Sequence, residues 1–263
     1  MQRELIHIYG SLSICSFGLF IALGLFVFVK LVERDPLYRC LRLQDKFMRI
    51  LLVGILALLV GGRLLSIYTY PESFDSVWQM LSPWEAGYSI LGAVLAALII
   101  LPWYLRRLAV PILPFLDLVG LYAPVLQSIS RVGCFFAGCC FGATTSLPWG
   151  VIYGDPNSSA PQGVSLHPSQ LYSSIGLFGI FLILYFVLRH RLRKPGQLAA
   201  SYLILISIER FMVDFFRGDR VMIWDGILSV DQAVALLVYV LAVNFFILVT
   251  FGRTEDVGSG EHI

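Results

Sequence analysis

The chain has 263 residues, 58% of them hydrophobic and only 14% charged, with a formal net charge of +2. Water-soluble domains carry about a quarter of their residues as charged side chains, so an ordinary soluble core is not the default here, and a mean hydropathy of +0.80 points to a membrane protein. So small a net charge gives no electrostatic footprint for nucleic acid, and the positions of the lysines and arginines matter more than their number.

Seven apolar segments are each long enough to cross roughly 30 Å of hydrocarbon at about 1.5 Å per residue. In chain order they are predicted at Ile8–Val29, Phe47–Tyr68, Gly87–Leu105, Ile112–Cys134, Pro168–Leu188, Leu198–Phe216 and Ile227–Phe251. The first reads as a retained span, because its apolar run is long and no small-residue cleavage site follows it. The loops alternate in charge. The first, with its flanks, holds Lys30, Arg34, Arg39, Arg42, Lys46 and Arg49; the third holds Arg106 and Arg107; the fifth holds Arg189, Arg191, Arg193 and Lys194. The second and fourth loops, Pro71 to Gly87 and Cys140 to Leu166, have no lysine or arginine, and the sixth has Arg217 and Arg220 beside Asp219 and Asp225. Basic loops stay in the cytoplasm, which puts the N-terminus outside and the C-terminus inside. The expected fold is all-α and polytopic: one seven-helix transmembrane domain over 1–252, a periplasmic loop at about 140–166, and a flexible cytoplasmic tail at 253–263.

Ionisable groups inside a bilayer are costly and mark functional interiors. With this topology, Tyr9, Arg63, Arg131, His167, Gln170, Tyr172, Arg210, Asp214, Arg217 and Gln232 all fall toward the outer ends of their segments; Asp117 alone lies toward the cytoplasmic end. Any single arginine at a helix end can snorkel to the headgroups, but polar groups from six of seven segments converging on one side imply a shared pocket. Arg210, Asp214 and Arg217 are spaced i, i+4, i+7 and share one helix face. That carboxylate is expected either to fix helix packing as an ion pair or to hold an arginine whose planar donors face an anion. The anions of the outer leaflet are phospholipid phosphates, so a lipid-phosphate enzyme is the leading expectation. A transporter is the rival, although the cytoplasmic halves offer little polarity for an aqueous path.

The motifs Tyr9-Gly10, GGR at Gly61–Arg63, SRVG at Ser130–Gly133, Gly142, HPSQLY at His167–Tyr172, RFMVDFFR at Arg210–Arg217 and SVDQ at Ser229–Gln232 run nearly end to end. Together they make the chain resemble the prolipoprotein diacylglyceryl transferase family of the bacterial inner membrane. The resemblance implies transfer of the diacylglyceryl group of phosphatidylglycerol to the lipobox cysteine of a preprolipoprotein signal peptide, with a thioether formed and glycerol phosphate released. It implies no cofactor and no nucleic-acid partner, only membrane lipid and the signal peptide. By the same resemblance Arg131 and Arg210 bind the headgroup phosphate and stabilise its developing charge, Asp214 orients Arg210, and Tyr9, Arg63, Gly133, Gly142, Gln170, Tyr172, Arg217 and Gln232 line the headgroup site.

Several positions depart from the family pattern. Leu91 stands where a third-helix histidine is often found, Cys134 and Cys139 where an asparagine and a glutamate are usual, and Ser173 where a glutamate commonly follows QLY. A base for the acceptor thiol would then be His167, which otherwise caps the fifth helix, or a tyrosine, or polarised water. Two readings stay open: a transferase that relies on arginine electrostatics, or a relative with altered acceptor or no catalysis that binds anionic phospholipid. The stretch RVGCFFAGCCFG holds Cys134, Cys139 and Cys140, for which small apolar wall residues, a disulfide, a catalytic thiol and a metal site are the alternatives. No metal is expected, because CxxxxCC is not a standard zinc spacing and a fourth ligand is missing.

Overall fold

In the computed structural model, residues 4–9, 12–73, 80, 87–155, 158–223 and 226–252 are described. The chain divides into two compact units, residues 35–115, and residues 1–34 with 116–263.

The larger unit opens with an antiparallel hairpin, β1 (Glu4–Tyr9) against β2 (Leu12–Cys15), and continues into α1 (Ser16–Arg34). The span expected from Ile8 therefore begins later, at Ser16. Ile6, Ile8 and Ile14 are β-branched residues flanking Gly10-Ser11, a composition that suits a hairpin better than a helix start. The smaller unit holds α2 (Pro36–Cys40), α3 (Phe47–Thr69) and α4 (Ile90–Arg107). Next comes α5 (Ile112–Ala137). After it, β3 (Val151–Ile152) pairs with β4 (Ser165–Leu166) within the long loop. Helix α6 (Ser169–Leu182) runs on through a π-helical stretch, Ile183–Leu188, to Arg189–Arg191. Helix α7 (Gln197–Asp214) is followed by a short hairpin, β5 (Met222–Ile223) and β6 (Leu228–Ser229), and then by α8 (Val230–Phe251).

Six of these helices are long and apolar enough to cross a membrane: α1, α3, α4, α5, the whole of Ser169–Arg191, and α8. Helix α7 is 18 residues long but carries Glu209, Arg210 and Asp214, and it does not meet that apolar standard. Large apolar side chains such as Leu19, Phe26, Leu98, Ile175, Leu237 and Leu248 are exposed, as a lipid-facing surface requires.

In the smaller unit, α3 and α4 meet through small residues. A Cβ at Gly61 would collide with Ala96 and the Gly92 carbonyl, and one at Gly92 would collide with the Gly61 carbonyl and Leu65. Without a hydrophobic drive between helices in lipid, such close backbone approach supplies the packing. The Ser89 side chain caps α4 by accepting from the Gly92 amide, and its own amide donates to Gly62 O at 2.9 Å.

In the larger unit, Ser128 on α5 donates to Ser174 O and Ser174 on α6 donates back to Ser128 O, at 2.8 and 2.9 Å. Asp117, the polar residue that sat apart from the others in the sequence, accepts from the Gly196 and Ala199 amides at 2.6 and 2.7 Å. It thereby caps the start of α7 from a different helix, supplying the anion that a helix N-terminus favours. Gly196 reaches the cap position with φ +90°, which favours glycine.

Gly92→Ala is expected to overpack the α3–α4 contact and lower stability by about 1–3 kcal/mol. Thermal unfolding of the purified protein in detergent reads this as a lower melting temperature; an unchanged melt would contradict the close packing.

Candidate active site

The first turn of α6 anchors the loop that follows α5. Gln170 Nε2 donates to Cys139 O at 2.8 Å and to the Tyr153 hydroxyl at 3.2 Å, and Ser169 Oγ donates to Cys140 O at 3.0 Å. Gln170 is 1% exposed, and its Oε1 has no partner among the described residues. The same loop pairs with the end of α7. Ala143 N donates to Phe216 O, Gly218 N donates to Phe141 O, and Gly142 bridges Arg217. These bonds draw three arginines together. Arg131 from α5, Arg210 from α7 and Arg217 from the turn after it line one narrow cleft with Cys140, Ser169, Gln170, Ser173 and Val213.

The three guanidiniums differ in their commitments. Arg210 Nη2 and Arg217 Nη1 both donate to Asp231 Oδ2, at 3.0 and 2.5 Å, and Arg217 also forks onto Asp219. Arg131 makes no hydrogen bond or ion pair among the described residues, although it lies within electrostatic reach of Glu209 and Cys140. Glu209 on α7 accepts from Ser173 Oγ at 2.6 Å. A carboxylate thus reaches the position of Ser173 from the neighbouring helix.

Asp214 does not hold Arg210. It is fully buried and accepts from Arg220 Nε at 2.9 Å and from Ser229 Oγ at 2.6 Å. The chain reverses after α7 and carries Arg220 and Ser229 back over the last helical turn, whereas Arg210, a turn earlier, meets the first turn of α8. Gln232 completes this network. Its Oε1 accepts from Arg220 Nη2 and from the Ser229 amide, while Ser229 Oγ accepts from the Gln232 amide to close a capping box.

Other expected headgroup residues are turned to protein. A Cβ at Gly133 would press on Phe20 of α1, and one at Gly142 would collide with the His167 carbonyl, so the space at both glycines is filled by the chain itself. Gln232 is 0% exposed within the capping network. His167 donates its amide to Ala143 O, and its ring Nδ1 lies 3.3 Å from the Tyr172 hydroxyl, which accepts from Trp149 Nε1 at 2.9 Å. With Phe216 these rings form a separate aromatic cleft of about 430 Å3 that shares Val213 with the arginine cleft. In the smaller unit, Arg63 donates to the Met80 and Gly87 carbonyls at 3.0 and 3.1 Å and stacks on Tyr88, which makes it a clamp on its own loop. Tyr9 lies in β1, and its side chain falls outside the described residues.

Cys134, Cys139 and Cys140 are free thiols whose sulfurs all lie within 4.8 Å of one another. Hydrogen bonds from Cys134 and Cys139 favour the Cys140 thiolate and lower its pKa against the effect of burial, and Arg131 and Arg217 add to the lowering. Asp231 and Arg220 were not among the expected site residues, whereas Glu209 had stood out as an ionisable group inside a span. Asp231 stands inside SVDQ, and its acidic character following the two arginines Arg210 and Arg217 is the signal that could have found it.

Residues 3–248 match the family model described as prolipoprotein diacylglyceryl transferase. The chain belongs to the prolipoprotein diacylglyceryl transferase family. It is 32% identical over 249 residues to a phosphatidylglycerol–prolipoprotein diacylglyceryl transferase of Clostridium tetani, covering 94% of this chain and 97% of that protein. A second such transferase of Clostridium perfringens is 30% identical over 247 residues, covering 91% of this chain and 92% of that protein. The protein of the same name from Finegoldia magna is 29% identical over 251 residues, or 92% of this chain and 94% of its own length. In this family member, then, the arginine cleft is built from Arg131, Arg210 and Arg217 and steadied by Asp231.

Asp214→Ala would leave the partly buried Arg220 unpaired and is expected to lower stability by about 3–5 kcal/mol. Chemical denaturation in detergent tests this. A midpoint equal to that of the parent protein would show the network to be dispensable.

Proposed function

We propose that this protein transfers the diacylglyceryl group of phosphatidylglycerol to the cysteine thiol of a prolipoprotein, forming a thioether and releasing glycerol phosphate. The observation that carries the reading is the convergence of Arg131, Arg210 and Arg217 on one cleft, with the donors of Arg131 uncommitted among the described residues. As the C–O bond to phosphate breaks, negative charge grows on the phosphate oxygens. Fixed guanidinium donors in a water-poor site stabilise that charge more than they stabilise the bound ester.

The cleft holds only about 10 Å3, the space of roughly one water. Asp231 supports a way to open it: its carboxylate occupies donors of Arg210 and Arg217 that a phosphate would use. An arriving headgroup would exchange with Asp231 rather than enter an empty box. An apolar groove between α7 and α8, lined by Ser207, Ile208, Phe211, Met212, Ala235, Leu236 and Tyr239, holds about 170 Å3 and shares Met212 with the aromatic cleft. Acyl chains in that groove would leave the headgroup at the arginines. His167 then acts as a positioning residue for Tyr172, with the acceptor's signal peptide as the second substrate.

In the same reading α7 is a seventh span. Its charges do not face lipid: Glu209 reaches Ser173, Arg210 reaches Asp231, and Asp214 is enclosed by Arg220 and Ser229. The alternation of basic and non-basic loops supports a periplasmic N-terminus and a cleft on the periplasmic side of the inner membrane. There the outer-leaflet lipid and the acceptor cysteine both lie within reach.

Arg131→Ala and Arg210→Ala are each expected to lower kcat/KM by at least about 100-fold. The assay follows transfer from phosphatidylglycerol to a lipobox peptide in detergent, and Arg131→Lys should recover only part of the loss because a lysine cannot fork onto two oxygens. Full activity in both alanine variants would remove this mechanism. Complementation separates the second reading, which the missing histidine at Leu91 favours: a chain that reaches the membrane yet fails to rescue cells depleted of their own transferase is a lipid-binding relative without catalysis.

A further inference from the structure

The transferase reading leaves one chemical task unassigned. The acceptor thiol must lose its proton, because the thiolate is the reactive form. Leu91 offers no base, and the His167 ring sits in the aromatic cleft rather than among the arginines. What the arginine cleft does border is a group of three thiols. Cys134 lies in the last turn of α5 and is 7% exposed, and the half-buried Cys139 and Cys140 follow the helix end.

Two features show that the chain is shaped to gather these sulfurs. Gly138, at φ +68°, ends the helix, and the Cys139 amide then donates back to Cys134 O at 3.2 Å. Cys140 itself is held at φ +54°, a left-handed conformation that a residue with a Cβ rarely adopts. Such strain persists only where the surroundings enforce it, and it concentrates at functional sites. Here the enforcing bonds are those from Gln170 and Ser169 to the carbonyls of Cys139 and Cys140.

Three thiolates about 2.3 Å from a zinc ion stand roughly 3.8 Å apart. Sulfurs already within 4.8 Å of one another need to close by only about 1 Å to reach that spacing. A structural zinc site would require a fourth protein ligand, but a catalytic one keeps its fourth position open. The lack of a fourth ligand, which spoke against a metal in the sequence, is therefore what a catalytic site would show. Of the three cysteines, Cys140 lines the arginine cleft, so an open position on that side faces the proposed headgroup site.

We propose that Cys134, Cys139 and Cys140 hold a zinc ion whose open fourth position binds the acceptor cysteine as its thiolate, in place of a general base. The inference rests on the transferase reading for the identity of the acceptor, but the metal site stands on the three thiols alone. The balance is simple. The acceptor S–H gives its proton to water as its sulfur coordinates zinc. A lone pair on that sulfur then forms the S–C bond to the diacylglyceryl carbon. The C–O bond to phosphate breaks with its electron pair on oxygen, and glycerol phosphate leaves among Arg131, Arg210 and Arg217. Those guanidiniums also offset the negative charge of a tris-thiolate zinc centre.

The test uses the full chain purified in detergent under reducing conditions. Metal analysis is expected to find zinc at one per chain. Replacement with cobalt(II) is expected to give a sulfur-to-cobalt charge-transfer band, lost in Cys134→Ser, Cys139→Ser and Cys140→Ser but kept in Cys40→Ser. Because a serine variant can fail to fold, the parent chain supplies a second readout: bound zinc should protect three thiols from maleimide, counted by mass spectrometry. Adding a lipobox peptide should shift the cobalt band, whereas the same peptide with serine for its cysteine should not. Four results each overturn the inference: absence of zinc, a disulfide among the three cysteines in the active protein, copper(I) in a closed three-sulfur site, or a cobalt band indifferent to the cysteine peptide. Transferase activity without zinc would sink the metal and leave the proposed function standing. A zinc-binding chain with no transferase activity would do the reverse.

Discussion

Asp214 is a carboxylate with no exposed surface, and the polar end of the α7–α8 pair depends on keeping it satisfied. A buried charge survives only when it is paired and hydrogen-bonded. Arg220 and Ser229 supply both at Oδ2, while the buried Oδ1 has no hydrogen-bond partner among the described residues, and to do so the chain must turn sharply after α7, run through the β5–β6 hairpin and start α8 directly alongside. That turn sets Asp231 beside Arg210 and Arg217. The cation cluster is thus positioned by a network beside it, and Asp231 in turn ties Arg210 and Arg217 to α8.

Much of the architecture was legible in the sequence because lipid imposes a simple rule. Backbone polar groups must be satisfied within the segment, so a spanning element is a long apolar helix. The spans expected from Phe47, from Gly87, from Ile112 and from Pro168 appear with ends shifted by only a few residues. The start of the first was not legible. A hydropathy window sees Ile8 and Ile14 as apolar and is blind to the preference of β-branched residues for a strand. Helix α7 was found by its apolar length like the others, although its charges weaken that signal; their helical spacing then showed that they share a face.

The site was legible in its members more than in its pairings. Arg131, Arg210 and Arg217 could be gathered from depth and motif, and they do meet. The partner of Asp214 could not be found, because an i, i+4 neighbour on the same helix is the only candidate a linear reading offers, whereas Arg220 arrives after a reversal of the chain. Gly133 and Gly142 announce close approach, but a sequence does not say to what; a Cβ there would meet Phe20 and the His167 carbonyl. The gathering of Cys134, Cys139 and Cys140 was hidden as well, since it depends on a left-handed residue that no propensity scale would place at a cysteine.

Asp117 joins the other end of this machinery. By capping α7 through the Gly196 and Ala199 amides, it fastens α5 and α7 together near the end of each helix that lies farthest from the arginines. Asp117 and Arg131 are 14 residues apart on α5, about 21 Å along a helix at 1.5 Å per residue. A single carboxylate thereby couples the placement of α7 to that of α5, and with it the spacing of Arg210 from Arg131.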